Sequence, residues 1–354
     1  VNAGLGAWHA RRWFDAHEHW EAAWKATARA DRRSALKGLI QLAASLHKAE
    51  RGEPAGHAKL WTKARVRLAT SARALGSLHG IDLVRVVEAL PESPPGAAWP
   101  AAASLLPERV FAFGVLYLHG FGSSPTSPKA MAVRPAVEST GVPVSAPTLA
   151  DTDDFFDFTV SRSLRRARRR LFDRTLVVGS SLGGWTAALL AAADPRVVEL
   201  VLLCPAFRFP ERWLRPERSD ELVRWRRDGQ LAMEVGHGPS PQALGVGFLD
   251  DALAHDGDVQ PVVRTTIFHG SRDDVVPLAD VTPVVRDLPN VDLRIREDDH
   301  GLRATLPEIA AYCRERAAAL CDAAPADSAP GASRGPRTDD LSARPRVQRL
   351  GKQS

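Results

Sequence analysis

Beyond residue 112 the chain alternates short apolar runs, at 113–118, 142–145, 175–179, 197–203, 263–268 and 291–295, with stretches of helical periodicity. Runs of this length suit strands buried on both faces. The helical stretches between them supply the crossovers that parallel pairing needs. The β-then-α order restricts the region to an α/β class, a doubly wound, mostly parallel sheet.

The first 90 residues read differently, as helices only. Trp13, His17, Trp20 and Trp24 recur at steps of four, three and four, one face of a helix. Leu36, Leu39, Ile40, Ala43 and Leu46 mark a second helix over 34–51, ending near Gly52. Pro54 suits the first turn of a third, which runs to about Leu75 before Gly76. The expectation is a small antiparallel all-helical bundle over 1–90, a Pro-rich linker over 91–108, the α/β domain over 109–322 and a disordered Ala/Pro/Ser/Arg-rich tail over 323–354.

The formal charge of +5 is unevenly placed. Residues 1–90 hold 15 Lys and Arg against 8 Asp and Glu, while 91–322 hold 26 against 31, so the long middle block is acidic and the ends basic. A chain basic throughout, as a nucleic-acid binder would be, is therefore disfavoured. The run Arg165-Arg166-Ala167-Arg168-Arg169-Arg170 follows Asp151, Asp153, Asp154 and Asp157, acid before base along one helix. That order complements the helix dipole and predicts a solvated face. Cys204, Cys313 and Cys321 show no metal spacing and no disulfide framework, which points to a reducing, cytoplasmic setting. No run approaches the roughly 18 apolar residues of a membrane helix. Trp8, His9, Arg11, Arg12 and Asp15 stand where a secretory leader would need an apolar core, so none is expected.

The strongest chemical signal is Val177-Val178-Gly179-Ser180-Ser181-Leu182-Gly183-Gly184, a G-x-S-x-G turn between an apolar strand and an Ala/Leu-rich helix. Such a turn strains the serine backbone, lifts its hydroxyl above the sheet and aims the next N–H at a developing oxyanion. Gly179 and Gly183 let the flanking segments approach. After the first strand, Leu118-His119-Gly120-Phe121-Gly122 supplies the other oxyanion element, with the Phe121 N–H beside that of Leu182 and with His119 and Gly120 shaping the turn.

A nucleophilic serine needs a base, and the base an orienting acid. Ile267 to Pro277 ends a strand and offers Asp273, with Asp274 as the alternative; His300, after the next strand and beside Gly301, is the candidate base. His269 reads as structural. Ser181, Asp273 and His300 would hydrolyse a small-molecule ester or thioester through an acyl-enzyme, with no cofactor.

These residues carry a resemblance. Leu118 to Ala130, Gly179 to Gly184 and Leu203-Cys204-Pro205-Ala206 resemble, in order and spacing, the motifs of the YqiA-type bacterial esterases, an α/β-hydrolase branch. The resemblance implies carboxylic-ester hydrolysis with Ser181, Asp273 and His300 as triad. Gly122 and Cys204 depart from the family pattern, which has a polar residue and an Asn there. Residues 207–260 lie where such folds insert a cap. Separately, Phe14 to Trp24 and Leu36 to Lys48 resemble the helical family called domain of unknown function 309. There His17 and Glu21, four apart on one helix face, with His47 on the next helix, are candidate metal ligands. The competing reading is a buried polar cluster among Trp13, Trp20 and Trp24. The alternatives to the esterase are a non-catalytic chain whose helical region docks a protein partner and a metal-dependent role for that region.

Overall fold

The computed structural model describes residues 1–79, 81–96, 99, 101–107, 111–149, 155–235, 241–255 and 257–323. The expected tail beyond 323, Asp151, Asp153 and Asp154 lie outside the described residues.

Helices α1 (Asn2–His9), α2 (Trp13–Ala26), α3 (Ala30–Glu50) and α4 (Pro54–Leu75) form the bundle. Trp8, Trp13, Trp20, Trp61, Leu36, Leu39 and Leu68 fill its core. A two-residue-per-strand hairpin, β1 (Ser77–Leu78) and β2 (Ile81–Asp82), leads into α5 (Leu83–Ala89). The segment expected as linker contains a short helix, α6 (Ala102–Leu105). Ala102, Leu105 and Leu106 join the bundle core, and Trp8 Nε1 donates to the Ala102 carbonyl at 2.8 Å.

The sheet is built from β3 (Phe113–Leu118), β4 (Val144–Ser145), β5 (Arg174–Ser180), β6 (Val197–Leu203), then β9 (Arg264–Gly270) and β10 (Val291–Arg296). The intervening β7 (Gln230–Met233) and β8 (Gln242–Gly245) pair only with each other, as an antiparallel hairpin. The order across the sheet is β10-β9-β6-β5-β3-β4 and every pair is parallel. Period-2 alternation splits each strand between two cores. Val115 and Tyr117 face α7 (Pro128–Glu138) and α13 (Leu306–Asp322), while Leu116 and Leu118 face α8 (Val160–Arg169) and α9 (Leu182–Ala193). The chain leaves β3 toward one edge and resumes at β5 on the other side. The strand order therefore reverses between β3 and β5, where open α/β sheets bind ligands beyond the carboxyl ends of their strands. Over this end lie two 3₁₀ turns (Pro210–Leu214 and Pro216–Arg218), α10 (Ser219–Asp228), the β7–β8 hairpin and α11 (Gly247–Leu253).

The bundle is joined to the sheet domain through buried charges. Asp194 accepts from Arg196 Nε at 2.9 Å and Nη2 at 2.7 Å and from Arg168 Nε at 3.0 Å, and Arg196 Nη1 donates to Ser77 Oγ at 2.7 Å. Asp173 pairs with His79 and, at 3.4 Å, with Arg32. Arg168 thus reaches into this seam from its basic run, with its side chain still 41% exposed. Its charge has a buried partner 26 residues away that no local pattern announces.

Burial alone would push the Asp173 and Asp194 carboxyls up. The bonds from His79 and from Arg196 outweigh it and hold both below the usual carboxylate range. A depressed folded-state value means stability that is complete above the ordinary value and lost as pH falls through the folded one. The urea midpoint is therefore expected to fall as pH drops below about 4. Asp194→Asn should lower stability at pH 7 by about 3 kcal/mol, because it leaves Arg196 buried and unpaired, and should flatten the acid dependence. Denaturation curves at pH 7 and pH 3 check both; equal midpoints in the unsubstituted protein would refute the linkage.

Candidate active site

Ser180 is the last residue of β5, and Ser181 opens α9 with φ 53° and ψ −120°. A serine at positive φ costs free energy that surrounding contacts must hold in place. The Ser181 N–H donates to the Leu203 carbonyl at 2.9 Å, and its carbonyl accepts from Gly184 at 2.8 Å and Ala206 at 3.0 Å. Two glycines make the turn sterically possible. A Cβ on Gly179 would lie under 3.0 Å from Gly183 backbone atoms, and one on Gly183 under 3.0 Å from the Leu118 and His119 carbonyl oxygens. The second approach clamps the start of α9 against the end of β3, from which the loop carrying Phe121 departs.

That loop is fixed by His119. Its Nδ1 donates to the Gly120 carbonyl at 2.9 Å and its Nε2 accepts from the Leu149 N–H at 3.1 Å, a pairing that suits the neutral ring. A Cβ on Gly120 would come within 3.2 Å of Ser181 Cβ, so the loop lies directly against the serine. The Phe121 ring sits among Phe155, Phe158, Phe209 and Phe248 at centroid distances of 5.4–5.9 Å.

The loop after β9 places Asp273. Its Oδ1 accepts the N–H groups of Val275 at 3.0 Å and Val276 at 2.7 Å, and its Oδ2 accepts from His300 Nδ1 at 2.8 Å. Burial raises the Asp273 carboxyl, but the His300 bond and the Val276 N–H outweigh it and keep it below the ordinary value. Asp274 is exposed. His269 is buried, donates through Nε2 to the Val276 carbonyl at 2.9 Å, and supports the Asp273 turn from below. His300 sits on the turn after β10, held by Asp298, whose Oδ2 accepts from Thr305 N at 3.0 Å and Oγ1 at 2.8 Å. The structure thus brings together Ser181, Phe121 and His300 around one cavity of about 330 Å³, with Asp273 behind the histidine. Two larger concavities, of about 470 and 460 Å³, lie on the bundle surface beside Arg67, and no histidine is among their described lining residues.

Two residues escape sequence reasoning. Lys129, in the first turn of α7, is buried, and its Nζ donates to the His300 carbonyl at 2.7 Å and to Ser180 Oγ at 3.2 Å. It ties the histidine loop to the elbow. Burial lowers its ammonium, and the nearby Asp273 carboxylate partly counters this. A lysine two residues into a helix after a polar loop ordinarily projects into water, so only its place in the Leu118–Ala130 motif marked it. Cys204 is buried at φ 47°, a left-handed conformation that Asn tolerates better than most side chains, which accounts for the Asn of the family pattern. Burial pushes its thiol up to about 12, so it stays protonated.

In the bundle, His17 and Glu21 come together with Glu18, not with His47. The ligating atoms of His17, Glu18 and Glu21 lie within 4.8 Å of one another, and His17 Nδ1 contacts Glu18 Oε1 at 2.9 Å. Phe14 stands between the rings of His17 and His47, at 6.2 Å and 5.5 Å. The cluster sits on a partly exposed helix face, outside the tryptophan core.

Fold and strand order define an α/β-hydrolase. The chain belongs to UPF0227, an uncharacterised protein family, whose profile matches residues 114–311. Residues 1–60 match DUF309, a domain of unknown function. A protein of Agrobacterium vitis catalogued as a candidate hydrolase is 23% identical, with a TM-score of 0.52 over 60% of this chain and 88% of that one. Mouse alpha/beta hydrolase domain-containing protein 10 is 20% identical (TM-score 0.49; 58% and 90% covered). Est1E of Butyrivibrio proteoclasticus, solved with ferulic acid bound, is 19% identical (TM-score 0.46; 57% and 86% covered). No curated protein matches the chain significantly. Among the described residues no helix is long and apolar enough to cross a membrane.

Proposed function

We propose that the protein is a serine esterase that hydrolyses small carboxylic esters or thioesters through an acyl-enzyme on Ser181. The observation that carries this reading is the 2.8 Å bond from His300 Nδ1 to a buried Asp273, on the cavity that Ser181 also lines. With Nδ1 holding a proton against Asp273, Nε2 is the free base. It takes the Ser181 proton as Oγ attacks the carbonyl carbon, and the N–H groups of Phe121 and Leu182 receive the oxyanion. Collapse of the tetrahedral intermediate breaks the bond to the leaving group, which departs with the proton from His300. Water then attacks the acyl-serine, giving its proton to His300, and the acid leaves as Oγ is reprotonated. Each oxyanion donor is worth roughly 3 kcal/mol of transition-state stabilisation in such sites. The three free cysteines agree with a cytoplasmic setting.

The test is covalent labelling with a fluorophosphonate, mapped by mass spectrometry of the digested protein. The expected adduct is on the peptide carrying Ser181, absent after Ser181→Ala. A wild-type chain that does not label, or a Ser181→Ala chain that labels equally, would overturn the assignment.

A further inference from the structure

The cavity at Ser181 has an unequal lining. Phe121, Phe209, Trp213, Met233 and Val275 make its walls apolar, two arginines, Arg212 and Arg218, add positive charge, and among the described residues no carboxylate lines it. Both arginines come from the 3₁₀ turns laid over the carboxyl end of the sheet, so they face the serine from the cap side.

Among the described residues, the nearby carboxylates offset them only in part. Asp280 is engaged by Arg215, whose Nη2 reaches Asp280 Oδ1 and Oδ2 at 2.7 Å each. Arg212 is left with a longer 3.9 Å approach to the same group and a bond from Nη2 to the Val275 carbonyl, which orients the guanidinium without cancelling its charge. Arg218 lies 4.4 Å above the Trp213 ring, and its contact with Glu221 is 3.5 Å between partly exposed side chains, a geometry that contributes little in water. A guanidinium has five N–H donors in one plane, and these contacts use few of them. Two cations against an apolar wall favour a ligand whose own anion can approach them, since attraction strengthens as water is excluded.

We infer that the preferred substrate is a short ester or thioester carrying a second, anionic group, a carboxylate or phosphate, which Arg212 and Arg218 hold while the acyl carbon sits at Ser181. This rests on the esterase reading above and names the substrate class for the same site. The volume of about 330 Å³ is at the low end for ligand cavities, which run from about 300 to 1,000 Å³, so the acyl chain is short. The anion can belong to either side of the scissile bond.

Two pairs of chromogenic esters test this on the full chain. On the acyl side, mono-4-nitrophenyl adipate is compared with 4-nitrophenyl heptanoate; on the leaving-group side, 5-butyryloxy-2-nitrobenzoate is compared with 4-nitrophenyl butyrate. In at least one pair kcat/KM for the anionic member should exceed that of the neutral one by about tenfold or more, the factor expected of one charge-assisted hydrogen bond. The preference should shrink as sodium chloride rises from 20 to 500 mM, because the arginines are only partly buried. In Arg212→Gln/Arg218→Gln the ratio should fall to near one, and the ratio, unlike an absolute rate, is not distorted by a partly folded preparation. Neutral esters hydrolysed as fast as or faster than anionic ones in both pairs would overturn this inference and leave the esterase reading standing. No hydrolysis of any ester, together with no fluorophosphonate adduct, would remove both.

Discussion

Asp273→Asn is expected to lower kcat for a short-chain ester by a factor on the order of 10³ to 10⁴, with KM little changed, while Asp274→Asn stays within about twofold. The reason lies in which atoms Asp273 has available. Its Oδ1 is claimed by the Val275 and Val276 N–H groups, so an asparagine must put its carbonyl oxygen there. The amide NH₂ then faces His300 Nδ1, which can meet a donor only as an acceptor. The ring proton moves to Nε2, the nitrogen that in the proposed mechanism must be bare to accept the Ser181 proton. The geometry survives and the tautomer is wrong, so the loss falls on kcat. Asp274 is exposed and touches none of this. Steady-state kinetics on the two variants decide between the adjacent aspartates, and comparable losses in both, or the larger loss at Asp274, would refute the assignment.

What could be read from the sequence, and what could not, divides along the range of the interactions. Pro54 and Gly76 bound α4 because a helix end is decided by its own residues, and β3 and β6 fall on the apolar runs at 113–118 and 197–203. The site motifs were visible for the same reason. An elbow needs glycines next to its serine, and an acid or base must sit on a turn at a strand end, so each announces itself within about ten residues. The β7–β8 hairpin has half-exposed, irregularly polar strands and gives no period to detect. Ala102, Leu105 and Leu106 are too few to form one, yet they close the bundle core. The buried polar links were illegible because their partners are remote: Arg196 meets Ser77 across 119 positions, and Lys129 meets His300 across 171. A basic residue looks solvated until its distant acceptor is known, as Lys129 shows.

Gly183→Ala should be among the most damaging single methyl groups at the described glycines, and Gly6→Ala among the least. Gly6 lies within α1, exposed, with nothing within 4 Å of where a Cβ would stand. There alanine only reduces backbone freedom in the unfolded chain and should raise stability by about 0.5–1 kcal/mol. At Gly183 the same atom would press on the carbonyl oxygens of Leu118 and His119, which belong to the end of a central strand and cannot turn aside as a side chain can. Overpacking against movable side chains typically costs about 1–3 kcal/mol, so against fixed backbone the loss should reach about 3 kcal/mol or more. Relief requires α9 to retreat from β3, and that movement separates the Leu182 N–H from the Phe121 loop. The two effects therefore arrive together: a lower urea midpoint and, in whatever fraction folds, a loss of kcat far beyond the loss of folded protein. Kinetics normalised to fluorophosphonate-reactive sites separate them. A folded Gly183→Ala chain with undiminished kcat per labelled site would mean that the contact between α9 and β3 stabilises the fold without setting the oxyanion donors.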